Sequence, residues 1–556
     1  MSALILMAVA LIAFFVAYKT YGSFLAKKFG LDDSNPTPAH TMSDGVDYVP
    51  AKAPVLLGHH FASIAGAAPI IGPIAAAVFG WIPAFLWIVL GGIFFGAVHD
   101  FSAIVASIRH KGKSIGVIIE NTMGVSGKTL FNLFAWLTLI LVLAAFANII
   151  AGTFVATPEA GTASLIFIAI AVVYGYLVYR NNFPVVISTI IGVGFLVLAI
   201  WLGIQFPLEM SANAWIFLLF GYVIIASVIP VWVLLQPRDY LNSFLLYALL
   251  GGAVIGIFFY NPKIEFTGYA GFVNPGGQWL FPVLFVTIAC GAISGFHSLV
   301  SSGTTSKQLN KESDAKLIGY GGMLIESTLA VVALITAIML TQGQYGDLAA
   351  AGGPVNVFSE GVANFLATLG LPFATGKTFT ALVVSAFALT TLDTATRLGR
   401  YVFQELFEMK GKDGSVSKNI GTNPYVATLA TVIPAGALAM VDWKAIWPVF
   451  GSANQLLASL ALLAVSVWLA KVGKKNGFTL YPMIFMLAVT LSALGNLIYS
   501  NLTQETIKFI ALSTDKNTGS IVLVIISAAL FILALVLAVF AYNTLRKVKS
   551  EANISA

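Results

Sequence analysis

Residues 58–73 read GHHFASIAGAAPIIGP, and this stretch indicates most about the fold. It lies inside a long apolar run, yet it contains three glycines, two prolines and two adjacent histidines. Glycine and proline weaken or break a helix, and backbone freed within a bilayer must be buried in protein or line a cavity. The stretch therefore predicts a membrane helix that is interrupted near Gly66 and Pro69 for a functional reason.

The composition is that of a membrane protein. The chain has 556 residues, of which 58% are hydrophobic and only 9% are charged, whereas soluble domains carry roughly 25% charged residues. Long apolar runs favour helices over the short alternating strands of a membrane barrel, so we predict an all-α polytopic fold. The single cysteine, Cys290, excludes an internal disulfide and a metal cluster built from thiolates.

Apolar windows of about 19 residues predict about fifteen spans. They lie near residues 3–22, 54–79, 81–109, 128–153, 160–180, 184–206, 214–236, 242–260, 279–303, 316–341, 377–400, 424–441, 444–471, 479–500 and 519–545. The first of them has its lysines after the apolar run, so we interpret it as a retained span and not as a cleaved signal peptide.

The distribution of Lys and Arg predicts the orientation of these spans. With Lys27 and Lys28 in the cytoplasm, alternation places most other basic residues in cytoplasmic loops, as the positive-inside rule requires. The N-terminus is then outside and the C-terminus is cytoplasmic. The net charge of +6 is explained by orientation and phospholipid contact, so we expect lipids and no nucleic acid as partners.

The predicted orientation suggests a hidden repeat. Spans two to six start inside and spans seven to eleven start outside, so two groups of five have opposite orientations, as in many secondary transporters. We predict repeats at 54–206 and 214–400, preceded by one helix and a loop at 1–53 and followed by about four helices at 424–556. Span seven contains Pro230, which predicts a second break that matches the first, although glycines and prolines also serve helix packing alone.

Four motifs are similar to those of a known family. They are DGVDYVPAKAPVLLGHHFASIAGAAPIIGP at 44–73, AVHDF at 97–101, PVWVLLQPRDYLNS at 230–243 and WPVFGSANQLLA at 447–458. Together they resemble the carbon starvation protein A family of bacterial inner-membrane transporters, over nearly the whole chain. The resemblance implies uptake of peptides or pyruvate by cation symport, and an inverted repeat of the leucine-transporter type.

Ionisable residues within a membrane span are costly and mark candidate sites. His59 and His60 lie on the cytoplasmic side of the predicted break and are candidates for a gate, a substrate contact or a proton carrier, with hydrogen bonding to neighbouring helices as the structural alternative. His99 and Asp100 lie in span three. Asp100 is a candidate for proton coupling or a structural partner of Arg109 or of a histidine in span two.

Span nine becomes rich in hydroxyl groups toward its cytoplasmic end. The resemblance implies that the third helix of the second repeat supplies hydroxyl oxygens to a sodium ion, and counting from span seven makes span nine that helix. Ser298, Ser301 and Ser302 are therefore the candidate ligands, whereas the neighbouring His297 suggests protons. Glu326 in span ten is a further candidate for a proton relay or for pairing across helices.

Two charged pairs lie near the cytoplasmic ends of spans. Asp393 and Arg397 are four residues apart, the spacing of an ion pair on one helix face. Arg238 and Asp239 follow span seven, where a gating salt bridge is a hypothesis.

The function that we predict is secondary active import of small organic solutes, peptides or pyruvate-like carboxylates, by proton or sodium symport. A carboxylate could bind at the amide end of a half-helix. The chain has no GxxxxGK[ST] loop for ATP, and we predict no cofactor beyond the coupling ion. The alternatives are a channel, or a membrane-embedded enzyme with a zinc or iron site built from His59, His60, His99, His297 and Asp100. A homodimer is left open.

Overall fold

The computed structural model describes residues 2–45, 47–181, 183–230, 233–410, 416–417, 419–441, 443–510 and 518–554. Within these residues the chain is helical apart from loops and two paired two-residue strands, β1 (Met409–Lys410) and β2 (Val416–Ser417). The all-α fold class predicted from the composition is therefore confirmed.

The N-terminal half contains twelve described helices. They are α1 (Ala3–Lys19), α2 (Tyr21–Phe29), α3 (Pro38–Thr41), α4 (Ala53–Ile64), α5 (Ala68–Ala76), α6 (Trp81–Gly91), α7 (Ala97–Arg109), α8 (Ile115–Ala156), α9 (Pro158–Gly175), α10 (Val185–Gln205), α11 (Ala212–Val228) and α12 (Leu235–Tyr260). Short 3-10 or π turns extend α5, α7 and α9 at Ala77–Phe79, Gly92–Gly96 and Tyr176–Arg180.

The C-terminal half contains ten described helices. They are α13 (Leu280–Ile288), α14 (Phe296–Val300), α15 (Ser306–Gln308), α16 (Gly322–Ile338), α17 (Gln342–Ala367), α18 (Phe373–Phe407), α19 (Pro424–Leu438), α20 (Trp443–Lys471), α21 (Gly477–Ile510) and α22 (Thr518–Ile554). The connecting 3-10 and π turns are Ala289–Gly291, Ser301–Thr305, Lys316–Gly321 and Ile420–Thr422.

Twelve helices of the described chain are long and apolar enough to cross a membrane, and thirteen if the bent pair α4 and α5 counts as one span. Two more predicted spans coincide with shorter apolar helices, α11 with 17 residues and α19 with 15 residues. A multi-pass membrane protein is thus confirmed, whereas the count of fifteen spans stays a prediction.

The first predicted break is present. Helix α4 ends at Ile64, α5 begins at Ala68, and the two are bent by 51°. Pro69 lies in the first turn of α5, where its missing N–H has no helical partner to lose. A Cβ on Gly66 would lie 2.6 Å from Thr391 Oγ1 and 2.7 Å from Phe146 Cε1, so glycine is required for the close packing at the break.

The predicted interruption at Pro230 is present, but it lies at the end of a helix and not within one. Helix α11 ends at Val228, Ile229 is extended, and Pro230 lies in the link to α12. Residues 231 and 232 of the predicted span 214–236 lie outside the described residues. Proline disfavours a helical residue before it and cannot donate the next helical hydrogen bond. The helix therefore ends before Pro230, and a role of Pro230 in the substrate site stays a prediction.

The second interrupted helix lies instead at 280–308. Helix α13 ends at Ile288, Ala289 has a φ of 43°, and α14 begins only at Phe296. A Cβ on Gly72 of α5 would clash with the carbonyl oxygens of Thr287 and Ile288. The two interrupted helices therefore contact each other backbone to backbone, which no sequence window revealed, because the break in CGAISG contains no proline.

The interrupted helices lie at the centre of the bundle. Helices α18 and α20 both pack on α8, α5 packs on α16, and α13 packs on α20. The apolar windows of α18 and α20 are 89% buried, whereas that of α22 is 28% buried. The outer helices thus present apolar surface to lipid, and the polar groups described next lie in the inner bundle.

Candidate functional site

The break between α4 and α5 leaves polar groups without partners. Within the described chain, the amides of Ala67 and Ala68 at the start of α5 have no hydrogen-bond acceptor. Thr391 of α18 is 2% exposed, and its Oγ1, which lies against Gly66, has no hydrogen-bond partner either. Two backbone donors and one hydroxyl are thus available at the first break.

A chain of four ionisable side chains lies beside the second break. Asp100 accepts at both carboxylate oxygens, with His99 Nδ1 at 2.7 Å from Oδ1 and His297 Nδ1 at 2.8 Å from Oδ2. His297 Nε2 lies 3.3 Å from Glu326 Oε2. All four side chains are at most 1% exposed. The predicted coupling residues Asp100 and Glu326 are therefore joined through His297.

Glycines bring the helices of this cluster together. A Cβ on Gly319 would lie 2.8 Å from the Cα of Phe101, and a Cβ on Gly96 would clash with the carbonyl oxygen of Ala292. Helix α7 therefore approaches both the break after α13 and the turn before α16 at backbone distance. This close packing places Asp100, one residue from Phe101, against side chains almost two hundred residues later in the chain.

The chemistry of this cluster is that of a shared proton. Charges away from water must be paired or neutralised, and two carboxylates with two imidazoles can exchange protons over hydrogen-bond distances. His297 Nε2 and both oxygens of Glu326 make no further hydrogen bond in the described chain. The contact between His297 and Glu326 is therefore where a proton can be held or released.

The expected structural partners of Asp100 are not the observed ones. Its histidines come from α7 and α14, and neither His59 nor His60 of span two bonds to it. Arg109 instead pairs with Glu312, with Nη1 to Oε1 at 2.6 Å. Helical rotation explains the difference, because Arg109 is more than two turns beyond Asp100, at the end of α7.

Among the described residues, one group of side chains has donor atoms spaced for a metal ion. Cys290 Sγ, a ring nitrogen of His297 and an oxygen of Glu326 lie within 4.8 Å of one another. Of the five residues in the predicted metal alternative, only His297 belongs to this group. The predicted set of ligands does not assemble, because His59 and His60 face other partners.

The two adjacent histidines of α4 point to different helices. His60 Nδ1 lies 2.8 Å from Thr305 Oγ1 in the π turn of the second interrupted helix. His59 Nδ1 lies 4.0 Å from Asp239 Oδ2 of α12. Successive helical residues are about 100° apart, so one half-helix contacts two separate polar networks.

The three predicted sodium ligands behave differently from one another. Ser298 donates to the Gly295 carbonyl and Ser302 to the Ser298 carbonyl, each at 2.7 Å. Such bonds satisfy the helix's own backbone. Only Ser301, which is fully buried, has an Oγ without a partner in the described chain.

Thr391 was missed by the sequence analysis. Counting the second repeat from the break at 280–308 makes α18 its third helix, so the expected hydroxyl ligands would fall in the LTTLDT stretch at 389–394. The hydroxyl next to the first break does belong to this stretch. The sequence analysis counted from span seven and therefore did not reach this stretch.

A second polar network lies on the other side of α4. Arg238 of α12, which is fully buried, contacts Asp393 of α18 through Nη1 and Asp239 through Nη2, the latter at 3.1 Å. Tyr222 of α11 donates to Asp393 Oδ2 at 2.7 Å and accepts from Arg238 Nη1 at 2.7 Å. The predicted pair of neighbours Arg238 and Asp239 thus belongs to a network across three helices.

The predicted ion pair between Asp393 and Arg397 is wrong. Arg397 Nη2 donates to the carbonyl oxygens of Ala226 and Ile229, at 2.8 and 2.7 Å. Arg400 Nη1 donates to the carbonyl of Ser227 at 2.7 Å. The end of α11 leaves these carbonyls without helical donors, and arginine satisfies them while matching the negative end of the helix dipole.

A model of the carbon starvation protein CstA family matches residues 2–352 and 347–493. A peptide transporter CstA from Helicobacter pylori is 34% identical over 85% of this chain and 79% of its own length. The pyruvate/proton symporter BtsT of Escherichia coli is 32% identical over 90% of this chain and 82% of its own length. Both relatives are named as transporters, and neither is named as an enzyme.

Among solved structures, a manganese transporter from Eremococcus coleocola superposes with a TM-score of 0.50 and 13% identity, over 91% of this chain and 99% of that one. At this identity the likeness shows the fold alone, which is the leucine-transporter type expected from the motifs. Family model, relatives and fold agree. The chain therefore belongs to the carbon starvation protein CstA family of membrane transporters.

Proposed function

We propose that this protein imports small organic solutes, peptides or pyruvate-like carboxylates, together with protons, by alternating access. The observation that carries the proposal is the buried chain of Asp100, His297 and Glu326 directly after the second helix break. A relative that is named a pyruvate/proton symporter supports the choice of ion. Since His297 lies on α14, movement at the break would change the contacts that hold its proton.

The repeats are better divided around the two observed breaks. We assign spans two to six, residues 53–205, to the first repeat, and the five spans within 280–471 to the second. By the predicted orientation, the first begins inside and the second begins outside, as an inverted repeat requires. Helices α11 and α12 are then an addition between the repeats, and the earlier division at 214–400 is replaced.

The substrate site that we propose lies at the first break. The free amides of Ala67 and Ala68 mark the positive end of the α5 dipole, which favours a carboxylate. The Thr391 hydroxyl, buried and without a partner, is placed to donate a further hydrogen bond. Gly66 allows the substrate and Thr391 to approach the backbone, and Pro69 fixes the start of α5.

The coupling follows from the charge of the buried chain. A proton that joins the contact between His297 and Glu326 neutralises a charge that has no access to water. When that proton is lost to the cytoplasm, the buried charge returns. The contact between His297 on α14 and Glu326 on α16 is then expected to rearrange. Ser301, whose hydroxyl is free, remains the candidate ligand if the ion is sodium, because hard cations prefer oxygen.

The function is tested by uptake of labelled pyruvate and of a labelled dipeptide into proteoliposomes. We expect accumulation when the outside is made acidic relative to the inside, and no accumulation with a sodium gradient alone. Accumulation that follows only sodium would overturn proton coupling. Uptake that equilibrates without responding to either gradient would indicate a channel, and activity that chelators abolish with release of a product would indicate a metal enzyme.

The role of Glu326 is tested with Glu326→Gln, which keeps the shape of the side chain but cannot ionise. We expect accumulation driven by protons to fall to the level of protein-free liposomes, because the contact with His297 no longer exchanges a proton. Exchange of labelled for unlabelled solute should persist, since the substrate site is intact.

The matched control is Glu360→Gln. Glu360 pairs with Lys377 at 2.7 Å on the side that we predict to be external, away from the buried chain. The Glu360→Gln variant should still accumulate solute when driven by protons. Normal accumulation in Glu326→Gln would contradict the assignment.

A further inference from the structure

His59 lies where α4 meets a network with unequal charges. Arg238 carries one positive charge, whereas Asp239 and Asp393 can carry two negative ones. Arg238 contacts Asp239 at Oδ1 and Asp393 at Oδ2, so Asp239 Oδ2 is left facing His59 at 4.0 Å. A buried carboxylate charge without a cationic partner is costly.

The other arginines nearby do not supply that partner. Arg397 and Arg400 bind the carbonyl oxygens at the end of α11. Tyr222 donates its hydroxyl hydrogen to Asp393. Among the described residues, the basic side chains that pair with Asp239 are Arg238, at Oδ1, and His59, at Oδ2.

The remaining elements packed on α4 direct their ionisable groups elsewhere. From the turn before α16, Lys316 donates to Ser23 at 2.8 Å and Tyr320 donates to the Ile93 carbonyl at 3.2 Å. On α14 and α16, His297 and Glu326 face each other. Protonation of His59 would therefore act on Asp239 first.

We propose that His59 and Asp239 form a second proton-binding site, which holds the cytoplasmic half-helix α4 against α12 when His59 is protonated. The imidazolium would pair with the free oxygen of Asp239 and balance the network of Arg238, Asp239 and Asp393. On deprotonation this pairing is lost, and α4 is free to swing about the break at Gly66. The inference rests on the proposed function for its meaning in transport.

The site differs from the buried chain in its access to water. The side chain of His59 is 23% exposed, whereas those of Asp100, His297 and Glu326 are fully buried. His59 can thus exchange protons while the protein is closed. On the predicted orientation its end of α4 is cytoplasmic, so the site responds to the pH inside the cell.

The consequence is a limit on proton import. Imidazole changes its charge between about pH 5 and 8. Import of protons acidifies the cytoplasm, which protonates His59 and holds α4 closed, whereas an alkaline interior lets α4 open. The site therefore works as a latch that slows uptake when the interior becomes acidic.

The test measures the distance between α4 and the far end of α12 by double electron–electron resonance. Spin labels are attached in nanodiscs to Val55→Cys and Phe258→Cys, two exposed positions, in a Cys290→Ser background. At pH 6 we expect one short distance, and at pH 8 a second, longer distance as α4 is released. The change should be absent in His59→Gln and in Asp239→Asn.

Two controls separate the latch from the proposed function. His40→Gln, which alters a histidine that bonds to Asn310 in the cytoplasmic loops, should keep the change with pH. Glu326→Gln should keep it too, even though proton-driven uptake is lost. An unchanged response in His59→Gln, or no response in the wild-type background, would overturn the latch, whereas a failure of proton-driven uptake alone would overturn only the proposed function.

Discussion

At the scale of single residues, Gly66 at the break and the two histidines of α4 determine which side chains this half-helix contacts. Gly66 has no Cβ, so Thr391 and Phe146 can approach the break. His59 and His60 are adjacent, yet one faces Asp239 and the other Thr305. The sequence marked both histidines as candidates, but it could not say which partner each would have.

We expect Gly66→Ala to destabilise the protein and to abolish uptake. The new methyl group would lie 2.6 Å from Thr391 Oγ1, and such overpacking costs about 1–3 kcal/mol. Thermal unfolding in detergent and uptake into proteoliposomes measure the two effects. Gly152→Ala in α8, where a Cβ meets nothing within 4 Å, is the control, and equal behaviour of the two variants would contradict the packing argument.

At the scale of elements, the end of α11 depends on helix α18. Pro230 prevents the helix from continuing, which leaves carbonyl groups that Arg397 and Arg400 satisfy. The sequence analysis had paired Arg397 with Asp393 from their spacing. Spacing describes neighbours on one helix, and it cannot detect a better acceptor on another.

Arg397→Ala should lower the stability of the protein by about 1–3 kcal/mol, because two carbonyl oxygens lose a charged donor. The measurement is the midpoint of thermal unfolding in detergent, compared with Arg180→Ala, an exposed arginine at the end of a π turn. If Arg397 acted only on Asp393, Asp393→Ala in the Arg397→Ala background would add nothing. We expect a clear further loss, since Asp393 pairs with Arg238.

At the scale of the whole molecule, the orientation in the membrane is still a prediction from the charges. A fluorescent protein that folds only in the cytoplasm, fused after residue 556, should fluoresce, because the positive-inside rule places the C-terminus inside. The same protein fused after residue 262, behind α12, should remain dark. The reverse pattern would invert the orientation and with it the cytoplasmic assignment of His59.

The sequence by itself determined the class of protein, the apolar helices and the first break. Each of these depends on local properties: hydropathy over a window, the missing N–H of proline, and the missing Cβ of glycine. The long motifs also identified the family. None of these properties depends on which helices are neighbours.

Only the tertiary structure decided the second break and the partners of the polar residues. The break at 289–295 depends on Gly72 of α5 packing against backbone carbonyls, and no proline marks it. The contacts of Asp100 with His297 and of Arg238 with Asp393 join residues 197 and 155 positions apart. Such pairs depend on how whole helices rotate and pack. Hydropathy does not encode this rotation, because every face of a buried helix is apolar enough to enter the core.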